Sequence, residues 1–144
     1  MVKFNDILVC DKIVMKKYFF VLLLTSGFFN IPAKADILDD ISALFKTGNA
    51  TEISKYLAPS VEIGVLSDQN VYTKAQASAV LSDFFKKHPP GSSKTVHKLT
   101  SNPNHLFTVM VLSTTTGAYR TSFSLSNASG KFLITEISFE LNKD

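Results

Sequence analysis

His97 and His105 are the first residues whose type and spacing suggest chemistry. They lie eight positions apart, on either side of Asn102-Pro103-Asn104. That cluster is turn chemistry, so the two imidazoles fall on adjacent strands and could meet. A histidine pair with one carboxylate can bind zinc. No Asp or Glu lies between them, however, and the spacing does not recur in metal sites, so two half-exposed strand histidines are expected and no metal. His88 follows Lys86-Lys87 and reads as a cation at a helix C-terminus.

Isomerase-type acid–base chemistry needs a carboxylate base facing an oxyanion-stabilising pair in a dry pocket. Tyr56, Tyr72 and Tyr119 could donate, and Glu62, Glu136 or Glu140 could act as base, but the later strands carry no aspartate for a second donor. Ser113-Thr114-Thr115-Thr116 lacks the Gly-x-Ser-x-Gly context of a nucleophile, and there is no glycine-rich phosphate loop. No catalytic residue and no cofactor are therefore assigned. Arg120 is the one arginine, set mid-strand between Tyr119 and Thr121. Its guanidinium could hold a ligand carboxylate or a partner's acidic group. The plainer reading is an ion pair across the sheet with Glu136 or Glu140.

Where these residues work is written in the first thirty-five positions. Lys16-Lys17, an apolar run from Tyr18 to Phe29 and the ending Ala33-Lys34-Ala35 form a secretory signal peptide cut after Ala35. The run is short for a membrane span, so no membrane segment is expected after cleavage. Met15 opens a conventional leader and could be the true start. Cys10, the one cysteine, is preceded by Val9 and followed by the apolar run, the wrong order for lipidation.

Removing residues 1–35 changes the charge balance. The whole chain has 15 Lys+Arg against 12 Asp+Glu, but ten of each lie from Asp36 onward. The basic character belongs to the leader, and nucleic acid is excluded as a partner. The remaining domain, residues 36–144, has no thiol, so it stands on its core alone.

The elements that position the candidate residues follow from periodicity. Ile37, Ile41, Leu44 and Phe45 share one helical face, with Lys46 and Gly48 marking the end. A second helix from about Thr51 stops at Pro59, and Val61–Val65 alternates like a strand. Thr73-Lys74-Ala75-Gln76 is a capping box, followed by the stripe Ala77, Val80, Leu81, Phe84, Phe85. Pro89-Pro90-Gly91 forbids continuation. Four strands follow: Lys94–Thr100, His105–Ser113, Ala118–Ser126 and Lys131–Asn142. The expected fold is α+β: three N-terminal helices packed on one face of a curved antiparallel sheet.

Two strands read as apolar on both faces. Leu106, Met110 and Leu112 alternate with Phe107, Val109 and Val111, and Phe132 and Ile134 oppose Leu133, Ile137, Phe139 and Leu141. The surplus side lines a cavity, or it meets a partner, a homodimer through the outer sheet face being the first case.

Gly48-Asn49-Ala50, Tyr72-Thr73-Lys74-Ala75-Gln76-Ala77, Phe84-Phe85, Pro89, His97-Lys98, Tyr119-Arg120 and Ile134-Thr135-Glu136-Ile137 carry a resemblance over Asp36–Asp144. The chain resembles the bacterial domain-of-unknown-function (DUF) 4783 family of small secreted proteins. Its element order is similar to the cone-shaped nuclear transport factor 2-like fold of ketosteroid isomerases. The resemblance implies a cone between helices and sheet; that fold hosts lyases, isomerases, hydrolases and non-catalytic modules, so it does not assign a function.

The reading expected is an exported, periplasmic or secreted, non-catalytic domain that holds a small apolar or amphipathic ligand in the cone. Tyr56, Tyr72 and Phe84 would line the wall, with Arg120 as anchor. The alternative is an interaction or dimerisation module that docks an envelope protein or a second copy. N-terminal sequencing of exported material should begin at Asp36; an uncut chain recovered from membranes would overturn the export reading.

Overall fold

Helix α1 (Lys34–Thr47) opens the described part of the chain, residues 34–143 of a computed structural model. The expected leader and the Met15 start lie outside the described residues, apart from Lys34 and Ala35 at the beginning of α1. Leu38, Ile41 and Phe45 on the inner side of α1 are fully buried. Gly48 ends the helix with φ at +65°. The Gly48 N–H donates to the Phe45 carbonyl and the Asn49 N–H to the Leu44 carbonyl, each at 3.1 Å, which is the Schellman pattern. A Cβ on Gly48 would also stand 3.0 Å from Pro90 Cγ, so this turn needs glycine twice over. Asn49 then caps α2 (Ala50–Lys55), its side chain accepting from the Glu52 N–H at 3.1 Å.

Helix α2 stops short of Pro59. Strand β1 (Leu57–Val65) begins two residues after it and contains that proline. The ladder with the last strand claims the chain early: the Ile134 N–H donates to the Tyr56 carbonyl at 2.7 Å, and Leu57 pairs with Ile134. Pro59 falls where the register shifts between Leu57 and Glu62, a place where a missing N–H does little harm.

Strand β2 (Asp68–Thr73) was not legible in the sequence. It returns antiparallel to β1 through Leu66 and Ser67, and all of its residues but half-buried Tyr72 are exposed. An edge strand of this kind has no buried stripe to imprint alternation on it. Leu66 takes the left-handed conformation at φ +59°, so even the turn lacks the usual glycine or asparagine.

Helix α3 (Lys74–Lys87) starts with the expected capping box. The Thr73 N–H donates to Gln76 Oε1 at 3.0 Å, and the Gln76 N–H donates back to Thr73 Oγ1 at 3.4 Å. Ala77, Leu81, Phe84 and Phe85 are buried on one side. Then come β3 (Pro90–Asn102), β4 (His105–Thr114), β5 (Gly117–Ala128) and β6 (Lys131–Leu141). β3 starts at Pro90 rather than Lys94, because Pro90 already pairs with Thr114.

The six strands lie in the order β2-β1-β6-β5-β4-β3. The expected all-antiparallel sheet is corrected at its centre: β1 runs parallel to β6, and the other neighbours are antiparallel. The helices are also not grouped ahead of the strands. Among the described residues α1 and α2 precede the sheet, while α3 is inserted after the β1–β2 hairpin. α1 packs on β3 and β4, α3 packs on β1 and β2, and α2 touches both helices. An ion pair from Lys98 to Asp39 ties β3 to α1.

A bulge resolves the two-faced apolar pattern of β6. Ser124 pairs with Glu136 but Leu125 with Ile134, so Thr135 is the extra residue. The bulge turns Ile134, Ile137 and Phe139 into the same core, where all three are fully buried. Replacing Thr73 with alanine should cost about 1 kcal/mol of stability in urea denaturation, with Thr73→Ser close to neutral.

Candidate functional site

The concave side of the sheet is filled by aromatic rings. Phe84 stacks on Phe139 at 3.9 Å and meets Phe85 and Tyr119 edge-on at 5.7 and 5.4 Å. Phe45 stacks on Phe123 at 5.2 Å. Phe84 is only 4% exposed. It is therefore a core residue first, and the wall of a cone second. Tyr56, after α2, and Tyr72, opposite Val61 on β2, are half-buried against this core. The groove that Phe84 does line, about 400 Å³, is shared with Val65, Ala79, Val80, Asp83, Lys87 and His88, and with neither tyrosine.

Arg120 stands apart from those three residues. Its neighbours Tyr119 and Thr121 are buried inward, and Arg120 itself is exposed on the side of the sheet turned away from the helices. The register sets it between Val111 and Glu140, yet it takes part in none of the ion pairs formed among the described residues. It borders an open groove of about 610 Å³ with Leu66, Ser67, Glu140 and Leu141 at one end of the sheet.

The carboxylates and the tyrosines do not converge as a base and an oxyanion pair. Glu62 sits between inward-facing Val61 and Ile63 and accepts from Gln69 Nε2 at 2.7 Å. Glu136 accepts from Ser124 Oγ at 3.2 Å. Both lie on the outer face, while Tyr119 is turned inward onto the core. The two strand histidines share the outer face without meeting. His97 is opposite Val109, and His105 is four residues along β4, about 13 Å away at strand spacing. Among the described residues no group of three or more His, Cys, Asp or Glu could hold a metal ion. Nor is any described helix long and apolar enough to cross a membrane.

The outer face has a definite pattern. Leu99 pairs with Phe107, His97 with Val109 and Lys94 with Val111, so β3 and β4 present an apolar stripe edged by His97 and Lys94. Ser122 and Ser124 of β5 and Ser138 of β6 form a small-residue centre. Glu136 and Glu140 of β6 and Glu62 of β1 make the far side acidic. Val109 is only 5% exposed, yet it lies outside the cluster that packs against the helices. Its neighbours on the outer face cover it.

His88 is the residue that the sequence placed too simply. Beyond ending α3, it inserts its ring beside Phe84 and Tyr119, and its Nδ1 is within hydrogen-bond distance of Thr116 Oγ1 and the Tyr119 hydroxyl. Thr116 and Tyr119 lie 28 and 31 residues further along the chain. No local spacing signals such a contact.

A bent sheet of this order with helices on its concave side is the nuclear transport factor 2-like architecture. A designed protein of that type with a long sheet matches at TM-score 0.58 and 16% identity, over 74% of this chain and 99% of the design. Within that class, the family model described as a domain of unknown function (DUF4783) matches residues 38–140, and the chain belongs to that family. Two solved family members are similar to it. The one from Bacteroides uniformis has TM-score 0.71 and 23% identity, over 80% of this chain and all of the other. The one from Bacteroides ovatus has TM-score 0.69 and 24% identity, over 72% of this chain and 94% of the other. No curated protein matches. If Phe84 is core, Phe84→Ala should cost 3–5 kcal/mol in denaturant unfolding, roughly the loss for a buried aromatic; a pocket-wall aromatic would cost far less.

Proposed function

We propose that this chain is an exported, non-catalytic binding domain whose outer sheet face packs against a second copy of itself. The observation that carries the reading is the stripe formed by exposed Leu99 and half-buried Phe107 and Val111, around covered Val109, on the face turned away from the helices. Apolar surface in such a position is stabilised by a partner.

The partner's identity is argued from charge. Lys94 and Arg120 flank the stripe, whereas Glu62, Glu136 and Glu140 occupy the opposite side of the same face. A two-fold axis running along the strands lays the acidic side of one copy over the cationic side of the other. A face that carries both signs in separate halves is complementary to itself, which an isologous interface requires. Two sheets then pack face to face at about 10 Å, with small serines at the centre.

The non-catalytic part of the reading is supported by the separation of Glu62 and Glu136 from Tyr119 across the sheet. Ligand binding inside the cone loses its support from the ring packing around Phe84. Export rests on Lys16-Lys17, the apolar run and Ala33-Lys34-Ala35.

Sedimentation velocity of the chain from Asp36 onward should give a dimer. Leu99→Asp and Val111→Asp should each weaken association about thirtyfold or more, the ~2 kcal/mol of a central contact, with far-ultraviolet circular dichroism unchanged. A monomer at tens of micromolar would overturn the second-copy reading, as would a dimer indifferent to both substitutions.

A further inference from the structure

Arg120 and Glu140 stand directly opposite each other on β5 and β6. Side chains in such a pair are close enough to meet. Yet neither takes part in an ion pair among the described residues. Both line the open groove of about 610 Å³ at the end of the sheet. A guanidinium offers only donors and a carboxylate only acceptors. Side by side and unpaired, they present a place for an anion next to a place for a cation. An exposed pair gains little by closing, so a ligand that brings both charges displaces little.

The same groove has an apolar wall. Leu66 and Leu141 line it and are 53% and 52% exposed. Leu66 is held there against its backbone preference, at φ +59° in the left-handed region that bulky residues rarely adopt. Its N–H donates to the Phe139 carbonyl at 2.7 Å, which pins the turn against β6 beside Glu140. A glycine would make this turn without strain. The leucine adds apolar surface next to the two charges, and strain kept at an exposed position points to a use.

A ligand for this groove needs a carboxylate, an ammonium beside it and an apolar body. We propose that it binds a free apolar α-amino acid as the zwitterion. The carboxylate lies on the Arg120 guanidinium, the ammonium on the Glu140 carboxylate, and the side chain on Leu66 and Leu141. Bidentate contact suits a guanidinium to the first of these roles. A plain carboxylate meets repulsion from Glu140. A plain amine meets two cations, since Lys143 also lines the groove. A peptide end carries one of the two charges and leaves the other unanswered.

The test follows NMR shifts of the chain from Asp36 onward at neutral pH during titration with L-leucine. Two probes each lack one charge: 4-methylpentanoate has no ammonium, and 3-methylbutylamine has no carboxylate. The titrations are run on the unsubstituted chain and on Leu99→Asp. The site does not depend on the pairing of two copies, and the substituted chain keeps a covered face from being mistaken for a missing site. In Leu99→Asp, L-leucine should give saturable shifts at Leu66, Arg120 and Leu141. Each probe should bind about tenfold more weakly, as loss of a charge-assisted hydrogen bond predicts. Adding Arg120→Gln, at an exposed position, should bring L-leucine down to the level of the amine. Adding Leu66→Asn, which suits the left-handed turn, should remove the advantage of L-leucine over glycine. No saturable binding of L-leucine to Leu99→Asp, equal binding of L-leucine and 4-methylpentanoate, or an affinity unmoved by Arg120→Gln would each overturn the proposal.

Discussion

The packing of Phe84 against Phe139 is the contact on which the other elements depend. The two rings stack at 3.9 Å, and Phe85 and Tyr119 close around them. Phe84 comes from α3 and Phe139 from the central strand β6, so this stack fixes the helix over the sheet. Stacked and edge-on aromatic pairs add directional energy to the area they bury, which makes the docking angle specific rather than merely apolar. Phe45 of α1 joins through Phe123 and Phe139, and the second helix layer is thereby referenced to the same rings.

That arrangement divides the sheet chemically. The inner face has consumed the large apolar residues of β5 and β6, and the outer faces of those strands carry serines, glutamates and Arg120. The outer apolar stripe comes mainly from β4, at Phe107, Val109 and Val111, with Leu99 of β3 beside it. Polar side chains on this scaffold are pushed to the outer face and to the end where α3 stops. His88 stands at that end because α3 terminates there and Pro89-Pro90 turns the chain into β3; the Thr115 N–H donates to the Pro89 carbonyl at 3.1 Å.

Several features were legible because their causes are local. The Gly48 stop and the Thr73–Gln76 capping box need only a few consecutive residues, and each forms as written. The apolar stripe of α3 was likewise visible in its spacing. What misled were features whose causes lie elsewhere in the chain. Pro59 looked like a helix stop until Ile134 paired with Leu57 and drew the strand back to it. β2 carries no pattern of its own and exists because β1 offers it an edge. The site residues follow the same rule: residue type alone groups Tyr56, Tyr72, Phe84 and Arg120, and the register puts Arg120 on the opposite face from the rest.

The sequence by itself determined the α+β class, the C-terminal ends of the first and third helices, most strand positions, the family and the neutral balance from Asp36 onward. These depend on periodicity and short-range hydrogen bonding, which adjacent residues encode. The tertiary structure decided the parallel β1–β6 pairing, the inward turn of Ile134, Ile137 and Phe139 about a bulge, and the closing of the concave side by rings. It also decided the meeting of His88 with Thr116 and Tyr119. Each of these joins residues far apart in the chain, and which pairing wins depends on the register of a whole sheet, where a shift of one residue exchanges its two faces.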